Sequence, residues 1–161
     1  MKPSYDLIVI GSGPAGEKAA GMAAFYGRSV ALVEREPRLG GAGTNTGTLP
    51  SKTLKATAVF LSGVNDRGLY GVERRPERAV CVQDLLFRKN TVTGEQADDI
   101  RRNLDTLKVD IFQGTGALVD AHTVNVQPAK GAAYALKGEF ILLASGSRPW
   151  HIPGVPFDGT H

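Results

Sequence analysis

Three glycines, Gly11, Gly13 and Gly16, form a G-x-G-x-x-G directly after the apolar run Leu7-Ile8-Val9-Ile10 and at the mouth of a small-residue segment. That placement suits a turn that receives a pyrophosphate. Gly11 permits the tight turn, Gly13 lets phosphates approach the backbone, and Gly16 lets the following helix pack closely on the strand. The helix start offers unpaired N–H groups and the positive end of its dipole to negative charge. Glu34 lies 23 residues past Gly11, at the end of a second apolar run. This is close to the offset of about 20 expected of an acid that binds ribose hydroxyls. A 2′-phosphate would be repelled there. Strand, helix, second strand and terminal acid together predict a bound dinucleotide, and the pattern alone does not separate NAD from FAD.

Other chemistry is limited by what the chain carries. A single cysteine, Cys81, excludes an internal disulphide framework, a four-cysteine zinc site and a dithiol redox pair within these residues. Without a partner it reads as an inert packing or surface residue. His122, His151 and His161 have no metal-ligand spacing, so no metal site is expected. Nineteen basic residues against sixteen acidic ones give a net charge of +3, spread without a long run, so nucleic acid is not indicated. With 42% hydrophobic and 22% charged residues the composition is that of a soluble domain, and 161 residues suit one core. The N-terminal apolar run is too short for an export signal, and no stretch approaches the roughly 18 apolar residues of a membrane span. The reading is a cytoplasmic protein with no membrane partner.

The elements that must position these residues follow from the pattern. Tyr5 to Ile10 reads as a strand buried on both faces, Pro14 to Tyr26 as a helix closed by Gly27, and Ser29 to Val33 as a second strand. Their crossover should be right-handed. Leu39 to Gly47, with Gly40, Gly41, Gly43 and Gly47, is too glycine-rich for a helix and reads as a loop pressed against something. Pro50 and Ser51 open a helix with Leu54, Ala58 and Leu61 at helical spacing, stopped by Gly63. Residues 73–78 (ERRPER) read as a solvated loop. Val82 to about Leu107 reads as a long helix weakened and kinked near Thr91, Thr93 and Gly94. Val109 to Gln113 is a third strand. Ala117–Val119, Thr123–Gln127 and Ala133–Leu136 suggest an antiparallel meander, and Phe140 to Ala144 a final strand. The fold class is α/β, with a parallel sheet, a small antiparallel β-meander, and the ligand across the C-terminal strand ends.

Three stretches carry a family resemblance: VIGSGPAG (Val9 to Gly16), VERE (Val33 to Glu36) leading into GGAGTNTGTLPSK (Gly40 to Lys52), and LLASGSRP (Leu142 to Pro149). They resemble the pyridine nucleotide-disulphide oxidoreductases, flavoproteins with a Rossmann-like FAD-binding domain. The resemblance covers nearly the whole chain, and its middle motif is the most specific. It implies that Gly11, Ser12, Gly13, Pro14, Ala15 and Gly16 hold the ADP half of FAD, and that Glu34, with Arg35 beside it, meets the adenosine ribose. It implies that the loop of Gly41, Ala42, Gly43, Gly47 and Thr48 lies along the flavin. Lys52 would sit near the reactive ring edge as the catalytic residue, where a cation stabilises the reduced flavin. Gly116 and Ala117 would lie near the adenine, and Ala144, Ser145 and Gly146 near the pyrophosphate.

One departure bears on the chemistry. The family's disulphide enzymes carry two cysteines at the positions of Gly43 and Thr48, and no glycine or threonine replaces a thiolate in thiol exchange. Threonine at the second position resembles the soluble pyridine nucleotide transhydrogenase branch, which moves hydride between nicotinamides through the flavin alone. That branch usually keeps the first cysteine, which is Gly43 here. Ala42 stands where many relatives have a threonine that bonds the cofactor phosphates.

The resemblance further implies a longer protein, with a nicotinamide domain and a C-terminal interface domain that builds a homodimer. Residues 1–150 would then be the N-terminal part of the FAD-binding domain, and 151–161 the start of a linker, so that the chain is a fragment or a truncated product. The expected function is that of a flavin-dependent oxidoreductase moving hydride between NAD(P)H and a second acceptor without a redox disulphide. The alternative is a non-catalytic FAD- or ADP-binding module left after loss of the cysteines.

Overall fold

A computed structural model describes residues 4–63, 71, 78–147 and 150–156. The stretch 73–77 of the expected solvated loop, Arg148 and Pro149 of the third motif, and residues 157–161 lie outside the described residues. Strands β1 (Tyr5–Ile10), β2 (Val30–Glu34), β3 (Asp110–Gln113), β4 (Thr115–Asp120), β5 (Thr123–Gln127) and β6 (Tyr134–Leu143) form one sheet in the order β3-β2-β1-β6-β5-β4. β1 is central and pairs in parallel with β2, from Leu7 opposite Val30, and with β6, from Tyr5 opposite Gly138. β3 extends the parallel part beyond β2. β4 and β5 run antiparallel and join through β6.

Alternation along the strands builds a core on each face of the parallel sheet. Val9, Val30 and Leu32 pack with Ala20 of helix α1 (Pro14–Phe25) and with Ile100 and Leu104 of a long helix, α4 (Val82–Thr106). Ile8, Ala31 and Val33 pack against Val124, Val126 and Leu136 of the meander. The molecule is therefore three layers deep: helices, parallel sheet, meander. The C-terminal ends of β1, β2 and β6 meet between the layers.

The structure corrects four expectations. Two separate strands, at Ala133–Leu136 and Phe140–Ala144, are one strand: β6 serves the meander through its first half and the parallel sheet through its second. Gly138, which lies between those two expected strands, sits where a Cβ would come within 2.8 Å of Ile8 Cγ1, so the glycine permits close pairing. Second, the glycine-rich stretch contains a short helix, α2 (Gly41–Asn45). Gly40 starts it with φ 100, and the Asn45 side-chain amide ties it by donating to the carbonyls of Leu39 (2.9 Å) and Gly41 (3.1 Å). Third, helix α3 (Thr48–Ser62) begins two residues before Pro50, which lies in its first turn where no N–H is needed. Fourth, α4 runs unbroken for 25 residues through Gly94. Thr91 and Thr93 turn their hydroxyls onto the carbonyls of Phe87 and Asn90 within the helix, and Thr93 is buried.

Cys81 is exposed and caps α4. Its N–H donates to Asp84 Oδ2 at 2.8 Å, and Arg78 Nη1 donates to the same oxygen at 2.7 Å. The Arg78 guanidinium foremost, and then the Cys81 N–H, hold the Asp84 carboxyl well below the usual carboxylate range.

Candidate functional site

The glycine turn between β1 and α1 is held by contacts that exclude side chains. A Cβ on Gly11, whose φ is 104, would lie 2.3 Å from the Ala144 carbonyl oxygen, and one on Gly16 would lie 1.9 Å from the Gly11 carbonyl oxygen. Strand ends and helix therefore approach to backbone contact, with the Ala144 N–H donating to the Ile10 carbonyl at 2.9 Å. Gly13 differs from both. A Cβ there would meet only Gly41 Cα, at 4.0 Å, so its Cα faces open space. Gly13 also occupies the cap position of α1, and among the described residues no side chain caps it. An uncapped helix start beside an open glycine provides a seat for phosphate oxygens, with Pro14 adding no N–H of its own and Ala15 and Gly16 following in the first turn.

Glu34 ends β2 beside this turn and is buried, with 7% of its surface exposed. Its Oε2 accepts the Ser12 N–H (2.8 Å) and the Ser12 hydroxyl (2.6 Å), and its Oε1 accepts the Glu36 N–H (2.8 Å). Ser12, fully buried, also accepts the Gly40 N–H at its hydroxyl and at its carbonyl, both at 3.1 Å. One serine thus ties the glycine turn, the acid and the second glycine-rich stretch together. Its type and spacing announce none of this, because its partners lie 22 and 28 residues away.

The second stretch rests on the first. Gly41, with φ 57, brings its Cα so close to Gly13 that a Cβ would lie 2.8 Å from Gly13 Cα. Gly43 lies against Pro14, where a Cβ would be 3.4 Å from Pro14 Cγ, an ordinary contact. Ala42 is exposed, and its carbonyl accepts the N–H of Gly47 at 2.6 Å, closing α2 onto the start of α3. Thr48 and Lys52 are exposed on the first two turns of α3.

On the meander side, Gly116 places its Cα over β1 and β2, where a Cβ would meet Val33 Cγ1 at 3.2 Å and Ile10 Cγ2 at 3.3 Å. The Gly114 N–H donates to the Glu34 carbonyl at 2.8 Å, and the Gln113 amide to the carbonyls of Glu34 and Glu36. Neither Gly114 nor Gln113 figured among the expected site residues; both bind backbone, which leaves no signal in residue type. Ala117, Ser145 and Gly146 are exposed, and exposed Arg35 pairs with Glu36 at 3.3 Å. Gly11 to Gly16, Glu34, Gly41, Gly43, Gly116 and Ala144 are therefore brought together at the strand ends. Lys52 is exposed on α3, the helix that follows α2.

The arrangement can seat a dinucleotide: an open phosphate cradle at Gly13, a carboxylate at the end of β2, and a small-residue rim at Gly116 and Ala144. The residues present fit FAD at its ADP end, since the cradle is the space that a Cβ on Gly13 would fill. Among the described residues no group of three or more His, Cys, Asp or Glu could hold a metal ion, and no helix is long and apolar enough to cross a membrane.

Comparison with known proteins agrees with this geometry. Soluble pyridine nucleotide transhydrogenase from Mycobacterium bovis is 44% identical over 155 residues, 96% of this chain and 33% of that protein. The enzymes of that name from Pectobacterium atrosepticum and Pseudomonas fluorescens are 34% and 36% identical, each over 154 residues. The chain thus spans about a third of the length of these relatives. The HOCl-induced flavoprotein disulphide reductase of Escherichia coli, solved as a Cu(II) complex, shares the fold with a TM-score of 0.77 at 24% identity, over 99% of this chain and 32% of that one. Residues 5–161 match the family described as pyridine nucleotide-disulphide oxidoreductase, and this chain belongs to that family.

Proposed function

We propose that these residues form the N-terminal part, residues 1–150, of the FAD-binding domain of an oxidoreductase that moves hydride between NAD(P)H and a second nucleotide or other acceptor without a redox disulphide. The observation that carries the reading is the open face of Gly13, at the uncapped start of α1 and beside the buried Glu34. FAD held there would supply two-electron hydride chemistry. Gly11, Ser12, Gly13, Pro14, Ala15 and Gly16 form the seat of the pyrophosphate, to which the first turn of α1 turns the N–H groups of Ala15 and Gly16 and the positive end of its dipole. Glu34 addresses the adenosine ribose, Arg35 borders it, and Gly116 and Ala117 offer a rim without bulk for the adenine. Ala144, Ser145 and Gly146 flank the phosphates from the β6 side.

Gly41, Ala42, Gly43, Gly47 and Thr48 line the way from the phosphates to the flavin. Gly43 and Thr48 carry no thiol, so neither can relay electrons by thiol exchange. Lys52 holds a positive charge on the second turn of α3, where it offsets negative charge arising at the ring. The relatives' names carry the word soluble, which supports a cytoplasmic location. Residues 151–161 start the linker towards a nicotinamide domain, and the complete protein pairs as a homodimer.

The test is anaerobic reduction of the FAD-loaded full-length protein by NADPH or NADH with the thiols counted before and after. The expected result is bleaching of the flavin band, no gain in titratable thiol, and turnover on a second pyridine nucleotide. In Lys52→Ala the reduction step slows by about tenfold, less than the roughly 100-fold of a lost buried donor because the lysine is exposed. Binding of FAD without reduction by either nucleotide would leave a non-catalytic module instead.

A further inference from the structure

The hydrogen bonds around Glu34 limit how its carboxylate can treat a ribose, and this inference rests on the reading that an adenosine ribose meets that acid. A carboxylate offers about four lone-pair sites, two on each oxygen. Oε2 accepts two hydrogen bonds, from the Ser12 N–H at 2.8 Å and the Ser12 hydroxyl at 2.6 Å. Oε1 accepts one, from the Glu36 N–H at 2.8 Å. One site remains, on Oε1. The Ser12 hydroxyl is not free to release Oε2: the serine is fully buried, and its oxygen is engaged by the Gly40 N–H at 3.1 Å. Turning its proton elsewhere would strand a buried donor.

We propose that Ser12 is a specificity-setting positioning residue: by saturating Oε2, it restricts Glu34 to a single ribose hydroxyl, bound at Oε1. The acid then distinguishes one of the two vicinal hydroxyls from the other, although a carboxylate has the geometry to hold both. Its backbone N–H would occupy one site on Oε2 whatever the side chain. The serine hydroxyl occupies the second, and that contribution is removable.

The experiment uses the full-length protein freed of flavin and measures competition by ADP, 2′-deoxy-ADP and 3′-deoxy-ADP against FAD rebinding, followed by flavin fluorescence. Competition with FAD confines the readout to this site and leaves out any other nucleotide site. In the wild type, one deoxy analogue should compete about tenfold or more weakly than ADP, the loss expected of a hydrogen bond to a charged acceptor. The other should stay within about twofold of ADP. In Ser12→Ala, and in Ser12→Gly as a second variant, Oε2 regains a site, and the indifferent analogue should now also fall behind ADP severalfold. A purely structural role for Ser12 would weaken all three ligands alike and leave their ratios unchanged. Equal losses for both analogues in the wild type, or ratios unmoved by the variants, overturn the proposal while leaving the nucleotide site standing. Failure of ADP to compete with FAD at all overturns the site reading and the proposal with it.

Discussion

The two glycine-rich stretches, residues 11–16 and 40–47, look alike in composition but obey different constraints. In the first, Gly11 and Gly16 are imposed by the fold, since any side chain would run into backbone at 2.3 and 1.9 Å, whereas Gly13 faces open space. In the second, Gly40 and Gly41 are imposed, by left-handed backbone and by Thr44 and Gly13, whereas Gly43 has room for a Cβ at 3.4 Å from Pro14. Each stretch therefore mixes glycines that the chain needs to fold with one that it does not. Gly13 and Gly43 are the positions where residue choice is free to serve a ligand. By the family resemblance, position 43 is also where the disulphide enzymes place a thiol, and packing leaves room there for a Cβ.

Substitutions can break this contrast. Gly16→Ala should have the largest effect, because the backbone it meets cannot move aside. A loss of about 3 kcal/mol or more, a drop of roughly 6 to 12 °C in melting temperature, is expected in a thermal scan. Gly41→Ala should cost about 2 kcal/mol in denaturant titration, from the left-handed strain and the 2.8 Å approach to Gly13 combined. Gly13→Ala should leave the melting temperature nearly unchanged and weaken ADP by about tenfold in a binding titration, as its methyl enters the phosphate seat. A large stability loss in Gly13→Ala would place it among the structural glycines and end the distinction. Gly43→Ala should do least, with stability within about 0.5 kcal/mol of the parent by chemical denaturation, since a helical glycine gains slightly from a Cβ.

Much of the frame was legible because parallel strands announce themselves: Tyr5 to Ile10 and Ser29 to Val33 are short, mostly apolar runs, Val109 to Gln113 is a half-buried one, and each is a strand within a residue at either end. The site was legible where a residue type has one physical use, as with Gly11, Gly16 and Glu34. Legibility failed where local composition and tertiary contact disagree. Gly138, between two stretches expected as separate strands, lies mid-strand, and the close neighbour that requires a glycine there is Ile8, far back in the chain. α2 is hidden by its glycines and rescued by Asn45. The part played by Ser12 depends on two partners, Glu34 and Gly40, that no local window contains.

The double duty of β6 has a consequence for the order of assembly. β1 meets β2 across a separation of 23 residues, Leu7 to Val30, but meets β6 across 133, Tyr5 to Gly138. The short closure is entropically cheap and fast, and the long one is slow. On the ribosome, the first strand and its helix can form early, but the second edge of β1 stays bare until Leu143 has been synthesised. Only then does the Ala144 carbonyl arrive against Gly11 to complete the turn. The nucleotide seat thus matures only once residue 144 is in place, although its glycines lie far earlier in the chain.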